Sequence, residues 1–144
     1  MQKLKIGIGI FLLLGFIFIH PAESREFNVL DFGAVGDGNQ LETQFIQKAI
    51  DAANESGGTV VFPVGTYLSG TIYLKTNVSL QLDKGATLLG SADLSHYPEN
   101  MPAYTFFRKG DILRALIFAE QQENISIKGE GNRWSGICFR SSNQ

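Results

Sequence analysis

The part of the sequence that decides the fold lies between Thr59 and Leu89 and reads TVVFPVGTYLSGTIYLKTNVSLQLDKGATLL. It consists of short runs rich in β-branched and aromatic residues, separated by turn residues such as Pro63 and Gly85, and this pattern predicts strands. The strands are too close for βαβ units, because parallel pairing needs a crossover of about a dozen residues unless the chain coils. The folds that remain compatible with these strands are a β-sandwich and a parallel β-helix. The predicted strands are Thr59–Phe62, Thr66–Leu68, Thr71–Leu74, Val78–Leu82 and Thr87–Leu89.

An internal repeat favours the β-helix. The sequence Asn77-Val-Ser-Leu-Gln-Leu returns 47 residues later as Asn124-Ile-Ser-Ile-Lys-Gly. We interpret this spacing as two rungs of about 20–25 residues each, with side chains of one rung stacked on the same positions of the next. Both asparagines, like Asn54, also head N-x-[ST] sequons. We interpret Asn77 and Asn124 as residues that begin strands rather than as glycan acceptors.

One helix is predicted, between a glycine-rich turn and the first of these strands. Asn39 is expected to cap it, Glu42 lies at the capping-box position, and Gly57-Gly58 should end it. Its apolar face needs a partner, and the open end of a stack of strands is the natural one. The residues that repeat on this face are Phe45, Ile46, Ala49, Ile50 and Ala53.

The two copies of the repeat are separated by a segment, Ser91–Arg114, that fits neither strand nor helix periodicity. We interpret this segment, hereafter the excursion, as a loop that leaves the coil, where a regular scaffold usually carries its binding residues. Aromatic faces suit sugar rings and guanidinium groups suit carboxylates. Alternatively, the phenylalanines of the excursion only pack it onto the coil. The predicted substrate-binding residues are Tyr104, Phe107, Arg108 and Lys109.

The first 24 residues have the pattern of a secretory signal peptide. Lys3 and Lys5 precede an apolar run from Ile6 to Ile19, and Ala22-Glu23-Ser24 is a small-x-small cleavage signal. The run is too short to cross a hydrocarbon core, which takes about 20 residues in a helix. We therefore expect a secreted protein, extracellular or periplasmic, that has no membrane contact after cleavage. A retained anchor is the alternative.

The charge and the single thiol argue against several classes of site. The net charge is −2 and the basic residues are scattered among acidic ones, so no nucleic-acid partner is predicted. Cys138 has no second cysteine with which to form a disulfide and no cluster of metal ligands around it in the sequence. We expect neither a metal nor a cofactor.

Three stretches together resemble the N-terminal cap and first rung of the pectin-lyase-like superfamily: Asp31–Gly38, Ala49–Ala53 at the end of the predicted helix, and Gly58–Tyr67. The resemblance implies an all-β fold, a right-handed single-stranded parallel β-helix with one N-terminal capping helix. That superfamily includes hydrolases, lyases and phage tail spikes, so the signature is specific for the fold rather than for a function. We accordingly interpret Asp31 and Asp37 as turn residues.

The following residues are similar to glycoside hydrolase family 28, which contains the polygalacturonases. The similarity runs through Leu68–Ser91, Tyr97-Pro98, Arg114–Ala119 and Asn124–Gly131. It implies inverting hydrolysis of α-1,4-galacturonan, with a pectic polysaccharide or oligogalacturonate as partner. Inversion needs one carboxylic acid to protonate the leaving oxygen and another carboxylate to activate water on the opposite face.

The motifs that supply catalysis in that family do not occur in this sequence. They are an Asn-Thr-Asp motif, an Asp-Asp pair, a His-Gly and an Arg-Ile-Lys. His96, the one histidine beyond the predicted signal peptide, precedes the position of the family's catalytic histidine. We therefore assign no residue a catalytic role.

The end of the sequence departs from the family pattern. After Gly131 the resemblance predicts Thr-Ile-Asp-Gly-Gln-Gly, whereas this chain continues Asn132-Arg-Trp-Ser-Gly. A shift of one base in the reading frame restores Asp-Gly-Gln-Gly, so we interpret residues 132–144 as an out-of-frame tail. A divergent terminus in which Trp134 caps the last rung is the alternative.

These observations predict that residues 25–131 form the cap and first rungs of a coil truncated after them. The family is enzymatic, but this chain is expected to be the inactive N-terminal part of a secreted polygalacturonase-type hydrolase, because the catalytic rungs are missing. The alternatives are a non-catalytic module that binds pectic oligosaccharide, a polysaccharide lyase fragment and, disfavoured by the signal peptide, a phage spike.

Overall fold

The computed structural model describes residues 25–99 and 114–130. The predictions made for residues 1–24, for residues 132–144 and for the side chains of Tyr104, Phe107, Arg108 and Lys109 lie outside the described residues. Within the described ranges no helix is long and apolar enough to cross a membrane.

The chain coils so that strands of successive rungs stack in three parallel sheets. Sheet A has the order β1-β3-β6-β9, sheet B the order β2-β4-β7, and sheet C pairs β5 with β8. This is a parallel β-helix, as predicted. The elements are β1 (Glu26–Asn28), β2 (Asp37–Leu41), α1 (Thr43–Ser56), β3 (Gly58–Phe62), β4 (Gly65–Ser69), β5 (Ile72–Tyr73), β6 (Val78–Leu82), β7 (Ala86–Gly90), β8 (Ile117–Phe118) and β9 (Ser126–Gly129), with short 3-10 turns at Val29–Phe32 and Leu94–His96.

The internal repeat corresponds to one rung, not two. Strands β6 and β9 are direct neighbours in sheet A, with Leu80 paired to Ile127. The two-rung interpretation of the spacing between Asn77 and Asn124 is therefore wrong. The additional length is the excursion, which is inserted between β7 and β8 and leaves the register of sheet A unchanged.

The helix lies where the sequence predicted it, but its start differs. Asn39 does not cap it, because Asn39 lies inside β2, the strand Asp37–Leu41 that pairs with β4. The N-cap is Glu42, whose side chain makes no capping hydrogen bond. Asp37, interpreted from the sequence as a turn residue, is instead the first residue of β2, where it pairs with Thr66. Its carboxylate accepts from the Asn39 N–H at 2.9 Å. That hydrogen bond holds the pKa of Asp37 below its usual value.

The side chain of Glu42 ties the glycine-rich turn to the start of α1. It is fully buried, and its Oε1 accepts from the backbone N–H groups of Val35 and Gly36, the latter at 2.9 Å. Gly36 has a φ of 74°, which an L side chain rarely adopts. Burial raises the pKa of the Tyr67 hydroxyl, and the negative charges of Glu42 and Asp83 raise it further.

The core forms where the inward faces of the three sheets meet the apolar face of α1. The rings of Phe62 and Tyr67 pack edge to face at 5.4 Å, and neither is exposed. Each fully buried apolar side chain contributes roughly 1.5–3 kcal/mol through burial. On the helix the buried residues are Ile46, Ala49, Ile50 and Ala53, with Phe45 packed against them, as predicted.

Candidate functional site: the base of the excursion

The excursion leaves the coil after β7, and its described part is a short turn that folds back on the coil. Asp93 Oδ1 accepts from the Ser95 N–H at 2.8 Å and so caps the 3-10 turn Leu94–His96. This interaction with Ser95 lowers the pKa of Asp93. The turn delivers His96 and Tyr97 to the surface where β4 and β7 end.

Tyr97 is the main anchor of the excursion. Its hydroxyl lies 2.9 Å from the Ser91 carbonyl oxygen and 3.3 Å from that of Ser69, so it can donate to either. Burial raises the pKa of this hydroxyl. The carbonyl of His96 accepts from the Thr71 N–H at 3.1 Å, and the His96 Nδ1 lies 2.7 Å from the Ser91 Oγ. The base of the excursion is thus attached to two successive rungs.

Two glycines make room for this contact. A Cβ at Gly90 would lie 2.8 Å from the Tyr97 hydroxyl oxygen, and a Cβ at Gly70 would collide with the His96 carbonyl oxygen. Gly90 pairs with Ser69, the residue before Gly70, so the two glycines lie side by side at the ends of β4 and β7. We call this pair the glycine notch. It was not predicted, although a glycine after each of two neighbouring strands was visible in the sequence.

Within the excursion, the residues on either side of positions 100–113 are joined by an ion pair. Arg114 Nη2 lies 2.9 Å from Glu99 Oε1. Both side chains are largely exposed, so the pair contributes between zero and about 1 kcal/mol. The ion pair therefore holds Glu99 and Arg114, which flank residues 100–113, next to each other.

The described part of this region offers no set of catalytic groups. Across residues 25–99 and 114–130 no group of three or more His, Cys, Asp or Glu side chains could hold a metal ion. His96 bonds Ser91, and its Nε2 is 3.9 Å from Asp93 Oδ2, which is too long for a hydrogen bond. The predicted sugar-binding residues, Tyr104, Phe107, Arg108 and Lys109, lie outside the described residues.

The sequon asparagines have structural partners. Asn124 Nδ2 donates to Asn77 Oδ1 at 2.9 Å, and both residues have positive φ at the start of a strand. Asn54 Nδ2 donates to the Thr76 carbonyl oxygen at 2.9 Å. These contacts agree with the interpretation of Asn77 and Asn124 as residues that begin strands.

Comparison with known proteins identifies the family of this chain. Residues 26–130 match the model of the family described as rhamnogalacturonase A/epimerase, pectate lyase-like. The chain is 36% identical over 124 residues to an exo-poly-alpha-D-galacturonosidase of Dickeya chrysanthemi, covering 78% of this chain and 20% of that protein. It is 31% identical over 117 residues to a probable polygalacturonase of Vitis vinifera, covering 76% and 24%.

A solved structure gives the same result. The family 28 exopolygalacturonase of Yersinia enterocolitica superposes with a TM-score of 0.68 at 38% identity, over 76% of this chain and 20% of that enzyme. The chain thus spans about a fifth to a quarter of the length of these relatives, at their N-terminal portion. It belongs to the rhamnogalacturonase A/epimerase, pectate lyase-like family and has the right-handed parallel β-helix fold of its family 28 relatives.

Proposed function

We propose that this chain forms the N-terminal cap and first rungs of a secreted glycoside hydrolase that cleaves α-1,4-galacturonan in pectin with inversion. The observation that carries the proposal is the superposition on a family 28 exopolygalacturonase at 38% identity. The family 28 relatives favour a hydrolase over a lyase. In such an enzyme the contribution of these residues is structural: α1 covers the apolar end of the coil, and sheets A, B and C set the register for later rungs.

The 144-residue chain by itself is proposed to be inactive. Inverting hydrolysis needs two carboxyl groups placed about 6.5–9.5 Å apart across the scissile bond. Here Glu42 is buried on the turn, while Asp51 and Glu99 form ion pairs with Lys75 and Arg114. Incubation with polygalacturonate should release no reducing sugar above a heat-killed control, and release above that control would contradict the proposal.

The structural role can be tested in a chimera. Residues 25–130 would replace the matching N-terminal portion of the Yersinia exopolygalacturonase, whose own catalytic rungs follow. The chimera should be folded and release reducing sugar from polygalacturonate, whereas the same chimera carrying Ile50→Asp, which buries a charge in the cap, should not fold. A folded chimera without activity would show that these residues cannot serve as the N-terminal portion of such an enzyme.

Secretion is part of the proposal and has a separate test. Residues 1–24 carry the signal-peptide pattern, so expression in a Gram-negative host should export the protein. N-terminal sequencing of the exported protein should begin near Arg25. A protein that stays in the cell with residues 1–24 attached would contradict it.

A second candidate is a module that binds pectic oligosaccharide without cleaving it. The observation in its favour is the attachment of the excursion at Tyr97 and at the Arg114–Glu99 ion pair, which holds both ends of residues 100–113 at one place. Binding and hydrolysis are separated by measuring reducing-sugar release and oligogalacturonate affinity on the same sample.

A further inference from the structure

Sheet C has a helix where the strand of a preceding rung would lie. On one side β5 bonds β8, through Ile72 N–H to the Leu116 carbonyl and Leu74 N–H to the Phe118 carbonyl, both at 2.9 Å. The N–H and carbonyl of Tyr73 point to the other side. There Tyr73 N–H donates to Gln47 Oε1 at 2.8 Å, and Gln47 Nε2 donates to the Tyr73 carbonyl oxygen at 3.0 Å. One glutamine side chain makes the pair of bonds that a neighbouring strand would make.

Gln47 belongs to a row of polar residues along one side of α1. Thr43 Oγ1 accepts from the Gly70 N–H at 2.8 Å, before β5, and Asn54 Nδ2 donates to the Thr76 carbonyl oxygen at 2.9 Å, after it. Steps of three or four residues keep side chains on one side of a helix. We call Thr43, Gln47, Asp51 and Asn54 the polar strip.

Asp51 fixes the orientation of the glutamine. Its Oδ1 accepts from Gln47 Nε2 at 3.0 Å and from Lys75 Nζ at 2.8 Å. An ionised carboxylate only accepts, so the amide nitrogen of Gln47 must face it, and the amide oxygen then faces the Tyr73 N–H. Partial burial acts to raise the pKa of Asp51, but Lys75 and Gln47 outweigh it, so this pKa lies below its usual value.

Covering the core does not require these contacts. Ile46, Ala49, Ile50 and Ala53 already bury the apolar face of α1, and Gln47 is not among its buried residues. An unpaired strand edge, however, is a template for pairing with another chain. The bonds of Gln47 to Tyr73 lie at the solvent-exposed surface, so a foreign strand could reach this edge.

We infer that the polar strip is a surrogate strand that closes the N-terminal edge of sheet C against pairing with a second copy of this chain. The strand in question is β8, at the other edge of sheet C in the described ranges. Its pairing with β5 of another copy would be head to tail and would grow into an open filament. The strip blocks that growth at one end.

Site-resolved hydrogen exchange on the full chain tests whether Gln47 closes the edge of sheet C. The variants are Gln47→Leu, which loses both bonds, and Gln47→Glu, which cannot donate to the Tyr73 carbonyl and places a second carboxylate against Asp51. Gln44→Leu is the matched control, since Gln44 is exposed on the same helix. Protection of the Tyr73 amide, relative to the Leu80 amide of β6 in the same sample, should fall about tenfold in Gln47→Leu, should also fall in Gln47→Glu, and should not change in Gln44→Leu.

The ratio to Leu80 separates a local effect from general loss of stability, which would change both amides together. An unchanged ratio in Gln47→Leu overturns the inference, and if that variant does not fold, the Gln47→Glu ratio decides.

Light scattering tests whether the strip prevents self-association. Gln47→Leu should self-associate at a concentration about tenfold lower than Gln44→Leu, because closing the edge is worth about as much as the bonds that close it. Equal self-association would show that the strip does not protect the edge.

Discussion

Replacing Glu42 with alanine should destabilise the protein by about 3–6 kcal/mol. The estimate follows from the two backbone N–H groups, of Val35 and Gly36, that donate to one oxygen of this carboxylate. A hydrogen bond to a charged group contributes about 1.5–3 kcal/mol, so losing two gives that range. Val35 is 58% exposed, so water can reach its N–H in the variant and the loss should lie near the lower limit. Even a loss of about 3 kcal/mol is a large part of the roughly 5–15 kcal/mol free energy of unfolding of a native protein.

Urea unfolding followed by far-ultraviolet circular dichroism measures this change. Glu55→Ala is the matched control, because Glu55 is an exposed glutamate of the same helix and its replacement should change stability by no more than about 0.5 kcal/mol. Glu42→Gln should also destabilise: the amide keeps one acceptor but places an NH2 group where Glu42 Oε2 is buried without a hydrogen-bond partner among the described residues. Equal midpoints for Glu42→Ala and Glu55→Ala would refute the role assigned to this carboxylate.

Three further outcomes are expected. Gly70→Ala should lower stability by about 1–3 kcal/mol, since its Cβ meets the His96 carbonyl oxygen, and an unchanged thermal midpoint would contradict the glycine notch. Because the pKa of Asp51 is lowered in the folded protein, its carboxylate contributes stability above the usual carboxyl pKa of about 3.9. That contribution is lost as the pH falls through the lower folded pKa. In parallel thermal melts over this acid range, Asp51→Asn should therefore lose less stability than the wild type. Calorimetric titration with oligogalacturonate should show binding that Arg108→Ala weakens, and no signal up to about 1 mM ligand would exclude a binding role for the excursion.

Strands β3 to β7 and the helix could be predicted because their patterns are local, whereas β2 was taken for part of the turn and helix start. Inward and outward residues alternate in β6, so its bounds, Val78–Leu82, were predicted correctly, and the apolar face of α1 follows the helical repeat. The start of the helix was missed because pairing of β2 with β4, distant in sequence, overrode the capping preference of Asn39. A repeat identifies equivalent positions but not the number of turns between them, and so the excursion was counted as a rung.

The glycine notch and the polar strip were missed for a different reason. Gly70 resembles an ordinary turn glycine until the His96 carbonyl is placed against it, and Gln47 resembles a solvent-facing helix residue until β5 is placed beside it. In each case the partner is 26 residues away along the chain. No local pattern carries that information.

The geometry separates the part of the chain that holds the coil together from the part that can vary. The excursion is inserted between β7 and β8, yet Ser79 and Ser126, on either side of it, remain in register, with their hydroxyl oxygens 2.7 Å apart. Sheet A therefore does not depend on the length of the insertion. Among the described residues, the attachment uses the Tyr97 hydroxyl and the ring and carbonyl of His96, all outside residues 100–113. The pairing of β6 with β9 and the contacts of Tyr97 and His96 thus form a frame that lies outside residues 100–113, as expected of a scaffold whose loops determine what it binds.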